Sequence, residues 1–189
     1  MSTYISLGKI PATAEEKLGL LAKKVEMDER EEAAYLTDVQ RSVIEYLLKE
    51  KDYSQDDIRP NKAFKVELPG ASFEAVADVA ISVKDKFIMI IKCVANSMAS
   101  WERYAAAFGR VAAPYQIPYA VVTDGEHATV IDIIERKSVE GKLDTIPSKS
   151  EALQISEMKA FIQYPKERAE REKRIIHAFN TITCSTTIM

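Results

Sequence analysis

The chain of 189 residues is 47% hydrophobic and 29% charged, which suits one globular domain with a small appendage. A formal net charge of -3 and a pI near 5.6 argue against a protein that coats nucleic acid by bulk electrostatics, and leave room for a local basic groove. The start "MSTYISLGKIPATAEEK" lacks a secretory pattern, no apolar run approaches the roughly 20 residues of a membrane span, and Cys93 and Cys184 stand in no metal-ligand spacing, so a cytoplasmic protein with reduced thiols is expected.

In chain order, residues 13–27 place Leu18, Leu21 and Val25 at helical spacing behind Thr13 as N-cap. After the charged "DEREE", a second helix over residues 33–53 carries Val39, Val43, Tyr46 and Leu47 on one stripe. "SQDDIRPNKA" reads as a loop. "FKVEL", "VADVAISV" and "FIMIIKC" read as three strands, with the last two joined by "KDK" as a hairpin and the last central in the sheet. A helix follows, capped by Ser97 or Ser100 and ending before Pro114. "YAVVTD" and "ATVIDII" form a second hairpin, and "ERKSVEGKLDTIPSKS" reads as a loop. "EALQISEMKAFIQY" predicts a helix, and "PKERAEREKRIIHAFN" a solvated one with an apolar edge at Ile175, Ile176 and Phe179. The tail "TITCSTTIM" either frays or adds an edge strand. The pattern predicts an α/β fold with a mixed sheet covered by helices.

The chemistry concentrates in "ADVAISVKDKFIMIIKC". Side chains alternate faces along a strand, so Asp78 shares a face with Ala80, and Lys92 shares one with Ile88 and Ile90. If the hairpin closes around Asp85, Asp78 and Lys92 meet at one end of the sheet. Either charge buried alone would cost several kcal/mol, so a pair is expected. The pair can be a plain salt bridge with the lysine stem lying over apolar surface. It can also belong to a phosphodiester-cleaving site, in which a carboxylate holds a divalent metal and a lysine steadies developing negative charge.

"VQRSVIEYLL", "DDIRPNKAFKVEL", "ADVAI", "IIKC" and "PYQIPYAVVTDG", in that order, resemble the N-terminal domain of type I restriction enzyme R subunits, especially its small stand-alone relatives. That family belongs to the PD-(D/E)XK nuclease-like superfamily. The resemblance spans roughly residues 36–150 and implies a restriction-endonuclease-like core, a DNA partner, and Mg²⁺ or Mn²⁺ if the site is active. It implies a metal-binding role for Asp78, a catalytic one for Lys92, an acidic ligand at Glu67 and an outer ligand at Glu45. Gln116 and Tyr119 resemble the glutamine–tyrosine motif of the R subunits, with compressed spacing, as candidates for nucleic-acid contact.

One departure matters. The superfamily places an acid two residues before the lysine, and this chain has Ile90 there. Isoleucine binds no metal, so hard-cation affinity should fall unless Glu102 of the next helix or Glu67 of the neighbouring strand supplies the missing ligand. Glu102 can equally be a solvated partner of Arg103 or Arg110, and Glu67 an ordinary exposed strand residue. Two functions follow: a Mg²⁺-dependent DNA endonuclease using Asp78 and Lys92, or a catalytically degenerate nuclease fold that binds nucleic acid or a protein. A scaffold role without nucleic acid is a third.

Elsewhere, Arg103 and Arg110 are seven apart on one helix face and could meet phosphates. Trp101 and Tyr104, one turn apart, suit packing better than base stacking. His127 and His177 lack partners in zinc spacing, and no P-loop pattern occurs. The expected organisation is a helical extension over residues 1–30, the core over 31–150 and a helical appendage over 151–189. The pattern is compatible with an oligomer as well as with a monomer.

Overall fold

The computed structural model describes residues 13–158 and 161–184. The chain divides into two compact units, Met1–Tyr35 and Leu36–Met189.

Helix α1 runs unbroken over Ala14–Glu50, where two helices were expected. The charged patch is itself a good helix former, with an Arg30–Glu26 pair at 2.6 Å one turn apart and neither Gly nor Pro to interrupt it. Thr13 caps it as expected, its hydroxyl accepting the Glu16 N–H at 3.2 Å. In the first unit the stripe at Leu18, Leu21 and Val25 lies on a helix as its spacing predicts, and these side chains are more than half exposed.

In the second unit a six-stranded sheet has the order β1-β2-β3-β4-β5-β6. The strands are β1 (Ile58–Leu68), β2 (Ala71–Val83), β3 (Lys86–Cys93), β4 (Tyr119–Thr123), β5 (His127–Asp132) and β6 (Lys137–Lys142). All neighbours are antiparallel except β3 and β4, which are parallel and joined through helix α2 (Met98–Val111). Helices α3 (Lys149–Met158) and α4 (Lys166–Cys184) follow. The fold is the mixed sheet flanked by helices that the pattern predicts.

Two segments read as loops are strands. β1 begins at Ile58 and passes through Pro60 and Asn61, while β6 takes up "KSVEGK". Both lie at sheet edges, where proline and exposed charge are tolerated. The β2–β3 turn has positive φ at both Lys84 (51°) and Asp85 (61°), as a two-residue type I′ turn requires. The ladder register shifts between Ile81 and Ser82. Phe87 therefore joins the cluster on the α2 face, while Ile88 joins Met89 and Ile91 on the α1 face, reversing the expected alternation there.

Val39, Val43 and Leu47 of α1 cover one sheet face, against Val79, Ile81, Met89 and Val121. On the other, Tyr104, Ala105 and Phe108 of α2 pack on Ala80, Ile90, Ala120 and Val122, and Ile176 of α4 completes the cluster. The apolar edge read at Ile175, Ile176 and Phe179 is the edge that docks α4. Residues of the tail beyond 184 lie outside the described residues.

Candidate functional site

β2 and β3 pair Val79 with Ile91 and Ala80 with Ile90, which sets Asp78 opposite Lys92. The sequence geometry is realised: the Lys92 amine lies 3.0 Å from Asp78 Oδ2 and 3.2 Å from Oδ1. About one fifth of each side chain is exposed. The Trp101 ring of α2 stands over the same amine, 5.1 Å from its centroid, so Lys92 is held between a carboxylate and an aromatic face. The Cys93 N–H donates to Asp78 Oδ2 at 2.7 Å.

The backbone explains why Asp78 can accept from a main-chain amide. On its other side, β1 and β2 pair Pro60 with Val79 and Lys62 with Ala77, leaving Asn61 opposite Asp78 with φ of 49°. Asparagine tolerates that left-handed conformation better than most residues. Burial also switches faces here, with Ala75 and Ala77 in the α2-side cluster and Val79 and Ile81 in the α1-side one. Gln40 of α1 holds the break, donating to the Asp78 carbonyl at 2.5 Å and to Asn61 Oδ1 at 3.0 Å. Sequence reasoning assigned Gln40 no role. Its signal is a polar residue beside the apolar stripe of Val39 and Val43.

The other acids do not gather at Asp78. Glu67 pairs with Ser72 in the ladder, so about 20 Å of strand separates it from Asp78. It lies in the open, 2.8 Å from Lys65, and the idea that it fills the missing position fails on register. Glu45 lies on the solvent side of α1, 3.1 Å from Lys49, across the sheet from the Asp78 carboxylate. Glu102 accepts from Thr129 Oγ1 at 3.4 Å, on a strand separated from β3 by β4, about 10 Å across the sheet. Ile90, 2% exposed, packs in the core beneath α2. Among the described residues, no group of three or more His, Cys, Asp and Glu side chains is placed to hold a metal ion. Asp78 alone, already neutralised by an amine, is a poor fit to Mg²⁺, which is bound through carboxylates and waters.

The remaining candidates, Tyr119, Gln116 and Arg103, each have contacts within the protein. Tyr119 is 8% exposed in the α1-side cluster, where burial pushes its hydroxyl up to about 12. The Gln116 N–H donates to the Ile162 carbonyl at 3.0 Å and anchors the segment before α4. Arg103 grips Glu172 of α4 with both terminal nitrogens, at 2.7 and 2.8 Å, and Arg110 adds a third contact at 3.1 Å. Burial alone would raise the Glu172 pKa, but these guanidinium groups outweigh it and hold the carboxyl below its ordinary value. Glu172 had looked like one more charge on a solvated helix, yet it is 4% exposed.

A second cluster of charge lies on α2. Arg103 and Arg110, with Arg136 of the β5–β6 turn and Lys137 at the start of β6, line a groove of about 330 Å³ whose single acid is Glu102. Arg136 and Lys137 are exposed at its rim.

Residues 37–147, more than half of the chain, match the family model described as type I restriction enzyme R protein N terminus. No curated protein matches the chain. Among solved structures, one described as a fragment of an HsdR subunit of a type I restriction enzyme from Vibrio vulnificus is similar, with a TM-score of 0.50 and 17% identity over 63% of this chain. The match covers 24% of that chain, and at this identity the likeness is one of fold.

Proposed function

This chain belongs to the family of type I restriction enzyme R protein N-termini, and from that premise we propose that it is a nuclease-fold module that engages DNA without cutting it. One observation carries the reading. The Asp78 carboxylate is committed to the Lys92 amine and the Cys93 N–H, while the position expected to hold its partner acid is Ile90 in the core. A carboxylate so engaged would have to give up its lysine before joining a cation's coordination shell, with no neighbouring acid to complete the site.

The DNA half of the reading draws on the family, named for a restriction enzyme, and on the groove along α2. Four cations line it against Glu102, with Glu172 shared by Arg103 and Arg110 and Glu135 3.9 Å from Lys137, which leaves a small local positive excess that suits a phosphate backbone despite the chain's negative total. Arg103 remains a candidate phosphate contact there, since two guanidinium groups share the single charge of Glu172.

The alternative, a Mg²⁺- or Mn²⁺-dependent endonuclease, is favoured by the survival of the acid–base pair itself at 3.0 Å. The test is incubation of plasmid and single-stranded DNA with each metal, alongside a binding titration. The proposal expects intact DNA and binding that weakens as salt rises, further weakened by Arg136→Glu and Lys137→Glu. Cleavage abolished by Asp78→Ala and Lys92→Ala would establish the alternative. Absence of any salt-dependent binding would remove the DNA half of the proposal.

A further inference from the structure

A cavity of the second unit lies away from Asp78. It encloses about 530 Å³ between the far end of β1, the C-terminal end of α2 and the first turns of α4. That volume falls within the roughly 300–1,000 Å³ typical of small-molecule sites. Its charged lining is Lys65, Arg110, Lys166 and Lys173, against Glu67 and Glu170.

The acids in this lining already hold cations. Glu67 pairs with Lys65 at 2.8 Å and Glu170 with Arg174 at 2.5 Å, a residue outside the cavity. Arg110 is held by Glu172. The Lys166 and Lys173 amines make no hydrogen bond or ion pair among the described residues. They are seven positions apart, so they line one face of α4 about 10 Å from each other. Tyr164, beneath the Arg110 guanidinium, gives the cavity an apolar wall. Lys173 feels the Glu67 charge, which Lys65 already pairs at 2.8 Å. Two ammonium groups at that separation, neither held in an ion pair of its own, suit an elongated anion better than a single small ion in a cavity of this size.

We propose that this cavity binds a phosphate ester of nucleotide size, with Lys166 and Lys173 as its principal phosphate contacts. The site unites β1 and α2 of the family core with Tyr164, Lys166 and Lys173, which lie beyond the matched residues 37–147. It is therefore a property of this chain's C-terminal appendage. It does not depend on the DNA-binding reading, because its lysines are not those of the α2 groove. The phosphate can come from a free nucleotide or from nucleic acid, and the two sources are distinguished below.

The test is amide chemical-shift mapping on the full ¹⁵N-labelled chain, titrated separately with AMP and with a short DNA duplex. AMP is expected to give saturable shifts centred on Val66, Ala112, Lys166, Ala169 and Lys173. Lys166→Glu and Lys173→Glu should each weaken binding about tenfold, as expected for loss of a hydrogen bond to a charged group. Arg136→Glu should leave it unchanged. The milder Lys166→Gln and Lys173→Gln provide the same reading should a charge reversal disturb α4. Shifts at these amides with the duplex but not with AMP would assign the phosphate to nucleic acid. No shift there with either titrant, or shifts that survive loss of both lysines, would overturn the proposal.

Discussion

The Lys92 amine lies within 3.2 Å of both oxygens of Asp78, directly across the β2–β3 ladder. Each partner is the other's counter-ion, and the Cys93 N–H adds a second claim on the carboxylate. Asp78→Ala strands a four-fifths-buried ammonium group and a main-chain donor together. The expected loss is about 2–3 kcal/mol of unfolding free energy. Asp78→Asn keeps an acceptor for the Cys93 N–H and should lose roughly half as much. Urea titration of both variants checks the order. Equal losses would mean that the backbone contact contributes nothing.

Glu172 ties α4 to α2, and its removal leaves Arg110 without its counter-ion in a site where only 17% of that side chain is exposed. Glu172→Ala should cost about 3 kcal/mol and release the amides of α4 to hydrogen exchange ahead of those of β3. Uniform acceleration across the chain would show instead that α4 unfolds only with the core.

The same carboxylate makes stability depend on pH. Its pKa is lowered in the folded chain, so the folded state binds its proton less readily than the unfolded state does. The contribution is complete above the unfolded value and is lost as pH falls through the folded one. Asp57 behaves alike: burial would raise its pKa, but the Lys149 amine and the Ser54 N–H and hydroxyl outweigh it. Melting temperature should therefore be flat near neutrality and fall below the ordinary carboxylate range. Glu172→Gln should flatten part of that acid limb, as measured by thermal melts across pH.

Part of this molecule is readable from its sequence and part is not, and the division follows burial. Val39, Val43 and Leu47 repeat at helical spacing because one face of α1 is buried, and "FIMIIKC" is apolar but for Lys92 because β3 is covered on both sides. Closing the hairpin around Asp85 sets Asp78 opposite Lys92; the observed turn pairs Val83 with Lys86, and the bulge between Ile81 and Ser82, which leaves no trace in the sequence, restores that register. β6 escaped because an exposed edge strand leaves no apolar alternation in "KSVEGK". Glu172 escaped because the residues that bury it come from α2, distant in sequence, and its neighbours on α4 are charged. The face switch at Asn61 and Asp78 depends on a backbone angle and on the Gln40 side chain, and neither leaves a periodic trace.

Gly109 lets α2 lie close to Ile133, the residue that follows β5. A Cβ there would come 2.8 Å from Ile133 Cγ1 and 3.0 Å from its Cδ1. Alanine gains about 1 kcal/mol of helix propensity, but Ile133 is 1% exposed and has little room to move. Overpacking of about 1–3 kcal/mol should win, so Gly109→Ala is expected to be less stable on denaturant titration. Ile133→Val in the same chain should recover part of the loss. A more stable single variant would show that Ile133 yields freely.

Cys93 is a buried free thiol. Burial first, and the Asp78 charge second, push its pKa up to about 12. The thiolate is the reactive form, so iodoacetamide should leave the Cys93 peptide unmodified in the native chain and label it in urea. Peptide mass spectrometry separates this signal from that of Cys184. Native labelling of Cys93 would mean that the end of β3 opens to solvent.

The central claim is that Asp78 serves Lys92 and the β3 backbone and does not serve a cation. Paramagnetic broadening by Mn²⁺, read at the Lys92 and Cys93 amides, tests it most directly. The account predicts that these resonances broaden no more than amides remote from any carboxylate. Selective broadening at Lys92 and Cys93, relieved by Asp78→Asn, would contradict it.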